Sequence, residues 1–391
     1  MKFIEVLDAE LKGIFGDLAI VLTILGGVIL YSFLYPQPYA KQSVSALATS
    51  IVDYDKSDLS RDIIFSLDAT PQIEITRRDF SEMDAKDALT RGEIKAIIVI
   101  PKDFKRDVTL QKSPTIAVGA DSSYFLIYGG VLEGAMKSIL TQGVKVKVAS
   151  LLKRQVPIVS AKVEYQSFSL KSINLFNPNN SYTQYVVPAV FVLILQQTML
   201  IGLGIFGGGI NEKLKQNRVE SYLLDTPIWV IYLARFIIFG VIFFIHMLFY
   251  FGFSFHYFEI SRLAEVGDLL TLGVAFIFSI FSLGIFLGTL FNTREIATPA
   301  ILLSSLPLVF SAGFVWPLEA LPSWIIALSM LVPSTPAIQG FLGLNQMGAE
   351  FSAIISHYTL LWIQGVIYLS LALLIGAKRR EYTISHTHHH S

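Results

Sequence analysis

The chain has 391 residues, 53% of them hydrophobic and only 15% charged, with a mean hydropathy of +0.58. Soluble domains carry about 25% charged residues, so this chain cannot hide its apolar surface in one water-soluble core and reads as a membrane protein. Lys and Arg total 30, as do Asp and Glu, and there is no cysteine; the balance points to no nucleic acid or acidic partner, and disulfides, thiolate metal sites and cysteine nucleophiles are excluded.

At the start of the chain Phe3, Ile4, Leu7, Leu11, Ile14 and Phe15 recur at helical spacing, with charges on the other face. Such a helix is expected to lie along the membrane surface, or else to extend the first span directly. Crossing a bilayer takes about 20 mostly apolar residues. Six runs qualify: Leu18–Tyr35, Val186–Ile205, Ile228–Phe255, Leu269–Phe291, Ala297–Val315 and His357–Ile375. Glu5, Asp8, Glu10 and Asp17 precede the first run, and "YPQPYA" offers no small-x-small cleavage site. The first run is therefore expected to be a retained anchor rather than a signal peptide.

Residues 36–185 separate the first two runs, far more than an ordinary connection. "IKAIIVI" ends at Pro101 and reads as a buried strand; "QIEITRR" and "PTIAVGA" alternate like half-exposed strands. "DLSRDIIFSLDA" and "SEMDAKDALTRGE" read as helices capped by Asp58 and Ser81, and Ser123–Arg154 reads as a longer helical stretch. The inserted segment is thus expected to be an α+β domain.

Lys213, Lys215 and Arg218 follow the second run, Arg294 the fourth, and Lys378, Arg379 and Arg380 the sixth. After the third run Arg262 stands against Glu259, Glu265 and Asp268. This asymmetry predicts both termini in the cytoplasm and residues 36–185 outside, although Lys2 and Lys12 lie among acids at the start.

No phosphate-binding loop, G-x-S-x-G or H-E-x-x-H motif occurs, and no catalytic residue or metal ligand is assigned. The glycines of "GIFGGGINEK" are read as sites of close helix packing. Asp53, Asp55 and Asp58 form a close acidic group in the inserted segment and are read as turn and helix caps. His246 lies deep in the third run and is expected to hydrogen-bond to a neighbouring helix. Gln196 and Gln197 are adjacent in the second run, so they point to different sides. At least one should find a partner across helices; lining a path and joining helices both remain open. The "HTHHHS" end is read as a tag remnant or loose native end and set aside.

Four stretches in order resemble the permease subunit of ABC-2 type exporters, in the branch with a large extracytoplasmic domain after the first span. They are "SIVDYDKSDLSRDIIFSLDAT", "ALTRGEIKAIIVIPKDFKRDV", "NLFNPNNSYTQYVVPAVF" and "FNTREIATPAILLSSLPLVFSAGFVWPLEALPSWIIALSMLVPSTPAIQGF". The resemblance implies an α-helical membrane protein with six transmembrane helices and an inserted α+β extracytoplasmic domain. Its parts would be residues 1–35, an interfacial helix and first span; 36–185, the inserted domain; 186–378, the remaining spans; and a cytoplasmic tail, 379–391.

By the same resemblance, residues 211–227 hold a helix that couples to an ATP-binding subunit through Glu212, Lys213, Leu214, Val219, Glu220, Leu223 and Leu224. Gln216, Asn217 and Arg218 depart from the family pattern there and put the individual contacts in doubt. The leucines are expected to form an apolar face for the partner. Residues 313–340 would form a re-entrant outer hairpin, gated by Gly313, Phe314, Pro317, Leu318, Pro322 and Pro333, with Gln196 and Gln197 along the path. From the residues alone, an external loop anchored by Trp316 and Trp324 is the competing reading.

The implied setting is a bacterial inner membrane. The implied partners are a separate ATP-binding subunit carrying ATP and Mg²⁺, a second copy or paralogous permease, a periplasmic membrane-fusion adaptor and the lipid bilayer. This chain itself would bind no cofactor and catalyse no reaction. A non-transporting scaffold or receptor is the alternative, and an enzyme built on the Asp53–Asp58 group a more remote one. The substrate has no signature in the sequence.

Overall fold

The computed structural model describes residues 2–39, 45–110, 112–121, 125–153, 181–216 and 218–387. The His-rich end from 388, the segment 154–180 and Asn217 lie outside the described residues. The chain divides into two units, Met1–Gln42 with Asn174–Ser391, and Ser43–Ile173.

Helix α1 (Phe3–Phe15) buries Val6, Glu10 and Ile14, one stripe at intervals of four, and leaves Ile4, Leu11 and Phe15 exposed. The inward stripe thus includes a carboxylate, where the sequence pattern predicts charges only on the outer face. α1 meets α2 (Leu18–Leu34) at 80°. At the corner Asp17 accepts hydrogen bonds from the amides of Ala19 and Ile20, capping α2. α1 is therefore a separate element and not an extension of the span.

The second unit is a four-stranded sheet with helices. Its elements are β1 (Leu47–Asp53), α3 (Asp58–Asp68), β2 (Ile73–Asp79), α4 (Glu82–Thr90), β3 (Ala96–Ile100), α5 (Phe104–Thr109), β4 (Ala117–Ala120) and α6 (Phe125–Lys153). The strand order is β2-β1-β3-β4; β1 is parallel to both neighbours, and β4 is antiparallel to β3. Parallel pairs need crossovers, and α3 and α4 supply them. Ile51, Ile98 and Ile100 of the strands pack on Ile63, Leu67 and Phe104. Ser81 caps α4 as expected, its hydroxyl accepting from the Asp84 amide. At α3 the cap is Ser57 and not Asp58: the Ser57 hydroxyl takes the Ser60 amide, while Asp58 turns outward to pair with Lys105 at 2.6 Å. The serine one residue earlier has the extended backbone that a cap requires.

The first unit continues with α7 (Tyr182–Lys215), a short α8 (Ser221–Asp225), α9 (Ile228–Tyr257), α10 (Val266–Leu290), α11 (Arg294–Ser311), α12 (Ser323–Ser329), α13 (Ser334–Gln346) and α14 (Ile355–Thr387). α7 is the central helix, packing on α10, α11 and α13. Its glycines permit this: a Cβ on Gly207 would lie 2.7 Å from the Gly288 backbone of α10.

Among the described residues four helices are long and apolar enough to cross a membrane, α7, α9, α10 and one that runs from Phe351 into α14. Two bent pairs raise the number to as many as six: α1 with α2, and α12 with α13, which meet at 94°. The predicted fifth span falls on α11, which begins with Arg294 and Glu295, contains Pro299 and Pro307, and is not among these helices.

Candidate functional site

The first unit carries two sets of buried polar contacts, near opposite ends of α11. One gathers around α8. Glu10 of α1 is fully buried and binds Arg235 of α9 through two hydrogen bonds, of 2.7 and 2.8 Å. The Tyr222 hydroxyl of α8 donates to the same carboxylate at 3.2 Å. The Arg235 guanidinium also lies 4.5 Å from the Phe206 ring centre. A charge in an apolar surround must be paired and hydrogen-bonded, and these neighbours meet that demand. Sequence reasoning passed over this cluster. Its signal was present: Arg235 is a cation inside the third apolar run.

Further contacts close the same region. Asn211, at the end of α7, donates to the carbonyls of Gly288 and Phe291 at 2.9 and 2.8 Å. Asp17 pairs with Arg294 at 2.8 Å. Arg380 of α14 donates to the carbonyls of Leu224 and Thr226. α8 is thus held from α1 through Tyr222 and from α14 through its own carbonyls.

The residues expected to couple to a partner divide here. Segment 211–227 is not one helix: α7 runs on to Lys215, and α8 is separate. Leu214, Leu223 and Leu224 line a cavity within the unit, and Leu223 packs on its core. Val219 and Glu212 are half-buried, while Lys213 and Glu220 are exposed and face each other at 3.7 Å. The exposed surface around α8 is polar, with Lys215, Arg218, Ser221 and Asp225.

The second set surrounds the hairpin. Gly313 adopts φ +82°, and a Cβ there would meet Gln339 Nε2 at 2.5 Å and Leu318 Cγ at 2.6 Å. Phe314 is buried, Leu318 half-buried, and Pro317 and Pro322 are exposed. Pro333 is buried at the bend between α12 and α13. The bend frees backbone groups, and side chains of other helices receive them. The Ser334 amide donates to Gln196 Oε1 at 2.7 Å, and Gln196 Nε2 donates to the Ser334 hydroxyl at 3.1 Å. Gln364 Nε2 donates to the Met330 carbonyl at 2.7 Å, and the Tyr368 hydroxyl to that of Leu331 at 2.5 Å. Gln339 Nε2 reaches the Ala312 carbonyl at 2.7 Å. Broken helix at membrane depth survives only with such substitutes for water. Gln197 donates to the hydroxyls of Ser304 and Ser305 on α11, so both adjacent glutamines join helices.

His246 differs from expectation. Among the described residues its buried Nδ1 has no hydrogen-bond partner, and the ring stands edge-on to Phe243 at 5.4 Å. Asp53 accepts from the amides of Asp55 and Lys56 and from the Ser60 hydroxyl, a turn-holding arrangement. Among the described residues no group of acids and histidines has metal-binding geometry.

Two curated relatives, from Escherichia coli (strain K12) and Shigella flexneri, are each called inner membrane transport permease YhhJ. Each is 26% identical to this chain over 377 residues, covering 93% of it and 94% of the relative. The family described as ABC-2 family transporter protein matches residues 18–374, and over that length the chain belongs to the ABC-2 transporter family.

Proposed function

We propose that the chain is the permease subunit of an ATP-driven exporter in a bacterial inner membrane, working as a dimer with itself or a paralogue. A separate subunit binds and hydrolyses ATP with Mg²⁺, and this chain is not itself an enzyme. Segment 211–227 receives the force, residues 313–340 gate the outer end, and residues 36–185 lie outside, where they suit a membrane-fusion adaptor. Both termini then lie in the cytoplasm. The relatives' printed name supports membrane and transport.

The observation that carries the coupling step is the fastening of α8. A push on this short helix is delivered to α1 through the Tyr222–Glu10 hydrogen bond and to α14 through Arg380. The fully exposed contacts are the polar ones, Lys213, Lys215, Arg218, Glu220 and Asp225, while Leu214, Leu223 and Leu224 are half-buried.

The test is co-purification of the full chain with an ATP-binding subunit co-expressed from the same genome, followed by ATP hydrolysis in proteoliposomes. Charge reversal at Lys215, Arg218 and Asp225 together should release the subunit and leave the chain folded. A chain that retains no ATP-binding subunit before any substitution would return the reading to a scaffold or receptor.

A further inference from the structure

The outer face of α11 is apolar, but its backbone is not sealed. The serines of this helix turn inward, where Gln197 of α7 donates to the hydroxyls of Ser304 and Ser305. The outer face carries Ile296, Ala300, Leu302, Leu303, Leu306 and Phe310, with Leu303 79% and Leu306 67% exposed. By side chains alone that stripe would suit lipid. Both prolines of the helix, Pro299 and Pro307, lie on the same exposed face.

A proline has no N–H and cannot bond to the carbonyl four residues before it. Pro299 therefore frees the Glu295 carbonyl, and Pro307 frees that of Leu303. Arg294, paired with Asp17, begins the helix. At 1.5 Å per residue Leu303 lies about 14 Å further on, near the middle of a hydrocarbon core about 30 Å thick. A bare carbonyl at that depth is costly in lipid and is tolerated only against protein or water. The exposed residues from Ile296 to Phe310 include no side-chain donor, so a second copy presenting the same face could not satisfy it. Water can. Gln196 and Gln197, the other residues that could line a path, are taken up in joining helices.

We propose that this face of α11 is a wall of a water-filled translocation path, and that the molecule exported along it is apolar and carries hydrogen-bond donors, as an aliphatic amine does. The wall offers hydrocarbon and freed carbonyls, which only accept. Residues 296–310 contain no cation to hold an anion. The inference rests on the transport reading. Retention of an ATP-binding subunit tests that reading and thiol labelling tests this wall, so the two can fail separately.

The chain has no cysteine, so single cysteines can be placed in it without further change. Leu303→Cys and Leu306→Cys on α11 are compared with Val241→Cys on α9 and Val366→Cys on α14, two positions that are each 56% exposed. The full chain is labelled in membranes of cells co-expressing an ATP-binding subunit, with an uncharged, membrane-impermeant sugar methanethiosulfonate. The α11 cysteines should react about tenfold faster than the other two. Dodecylammonium should slow labelling of Leu303→Cys at a concentration where dodecanoate does not. Adding Pro307→Ala, which supplies the missing N–H, should remove that difference and leave the cysteine reactive. Labelling of α11 at the rate of Val241→Cys and Val366→Cys would set the face against lipid and overturn the wall. Slow labelling together with a Leu303→Cys disulfide between two copies would make the face a dry contact and overturn the path. Equal protection by both amphiphiles, or a preference that survives Pro307→Ala, would overturn the substrate class.

Discussion

The carboxylate of Glu10 and the guanidinium of Arg235 form a two-pronged ion pair, at 2.7 and 2.8 Å, with side-chain exposures of 0% and 5%. They are 225 positions apart in the chain. The pair pins α1 against α9, and Tyr222 brings α8 to the same carboxylate.

Removing one partner leaves a buried, uncompensated charge. Glu10→Gln or Arg235→Met alone should therefore destabilise the first unit by about 3–5 kcal/mol, while the double variant should recover most of that loss. Tyr222→Phe should cost only about 1 kcal/mol. Denaturant unfolding of the purified chain in detergent measures all four. Simple addition of the two single losses would show that the pair is not energetically coupled.

Gln196 serves both the amide and the hydroxyl of Ser334. Gln196→Leu leaves the Ser334 amide unpaired at a buried helix start, a loss of about 1–3 kcal/mol. The loss should be local, seen as faster hydrogen exchange at the N-terminal turn of α13 and little change in α9. Unchanged exchange at that turn would mean that Pro333 and packing alone fix the bend.

The hairpin residues should separate by burial. Gly313→Ala forces a side chain into a positive-φ position and against Gln339 and Leu318, and Phe314→Ala empties a buried site at a cost of about 3–5 kcal/mol. Pro317 is exposed, so Pro317→Ala should be mild. Transport should fall for the first two and persist for the third, with the purified chain folded in all. Equal transport in all three would make the stretch an ordinary connection.

Asp79 gives the second unit an acid sensitivity. Burial pushes its carboxyl up, but hydrogen bonds from the Arg77 guanidinium and the Ser50 hydroxyl outweigh that and hold it below the usual carboxylate range. A depressed value means stability present above the unfolded carboxyl's pH of about 4 and lost as pH falls through the folded value. Exchange protection of β1 and β2 should therefore weaken as pH drops below about 4. Asp79→Asn should lower protection at neutral pH and remove that part of the acid loss. An unchanged pH profile in Asp79→Asn would assign the sensitivity to other carboxylates.

Much of this molecule is set by local pattern. Apolar runs of bilayer length mark α7, α9 and α10 because backbone in hydrocarbon must bond within its own segment. "AIIVI" must be a strand because β-branched residues bounded by a lysine and a proline suit a buried sheet. Ser81 announces its own helix. Other features depend on which distant groups meet. Glu10 reads in sequence as one more charge on an outward face, and only the arrival of α9 with Arg235 makes it an inward one. Leu223 and Leu224 read as a face for a partner, since an apolar stripe does not state what it covers; the tertiary structure half-buries them along a cavity of their own unit. The same holds for the bend before Ser334. The prolines announce that helix breaks, but the amides of Gln196 and Gln364 and the hydroxyl of Tyr368 decide that the broken backbone is satisfied. Periodicity records what one segment prefers, whereas pairing energy belongs to two segments at once and exists only after they pack.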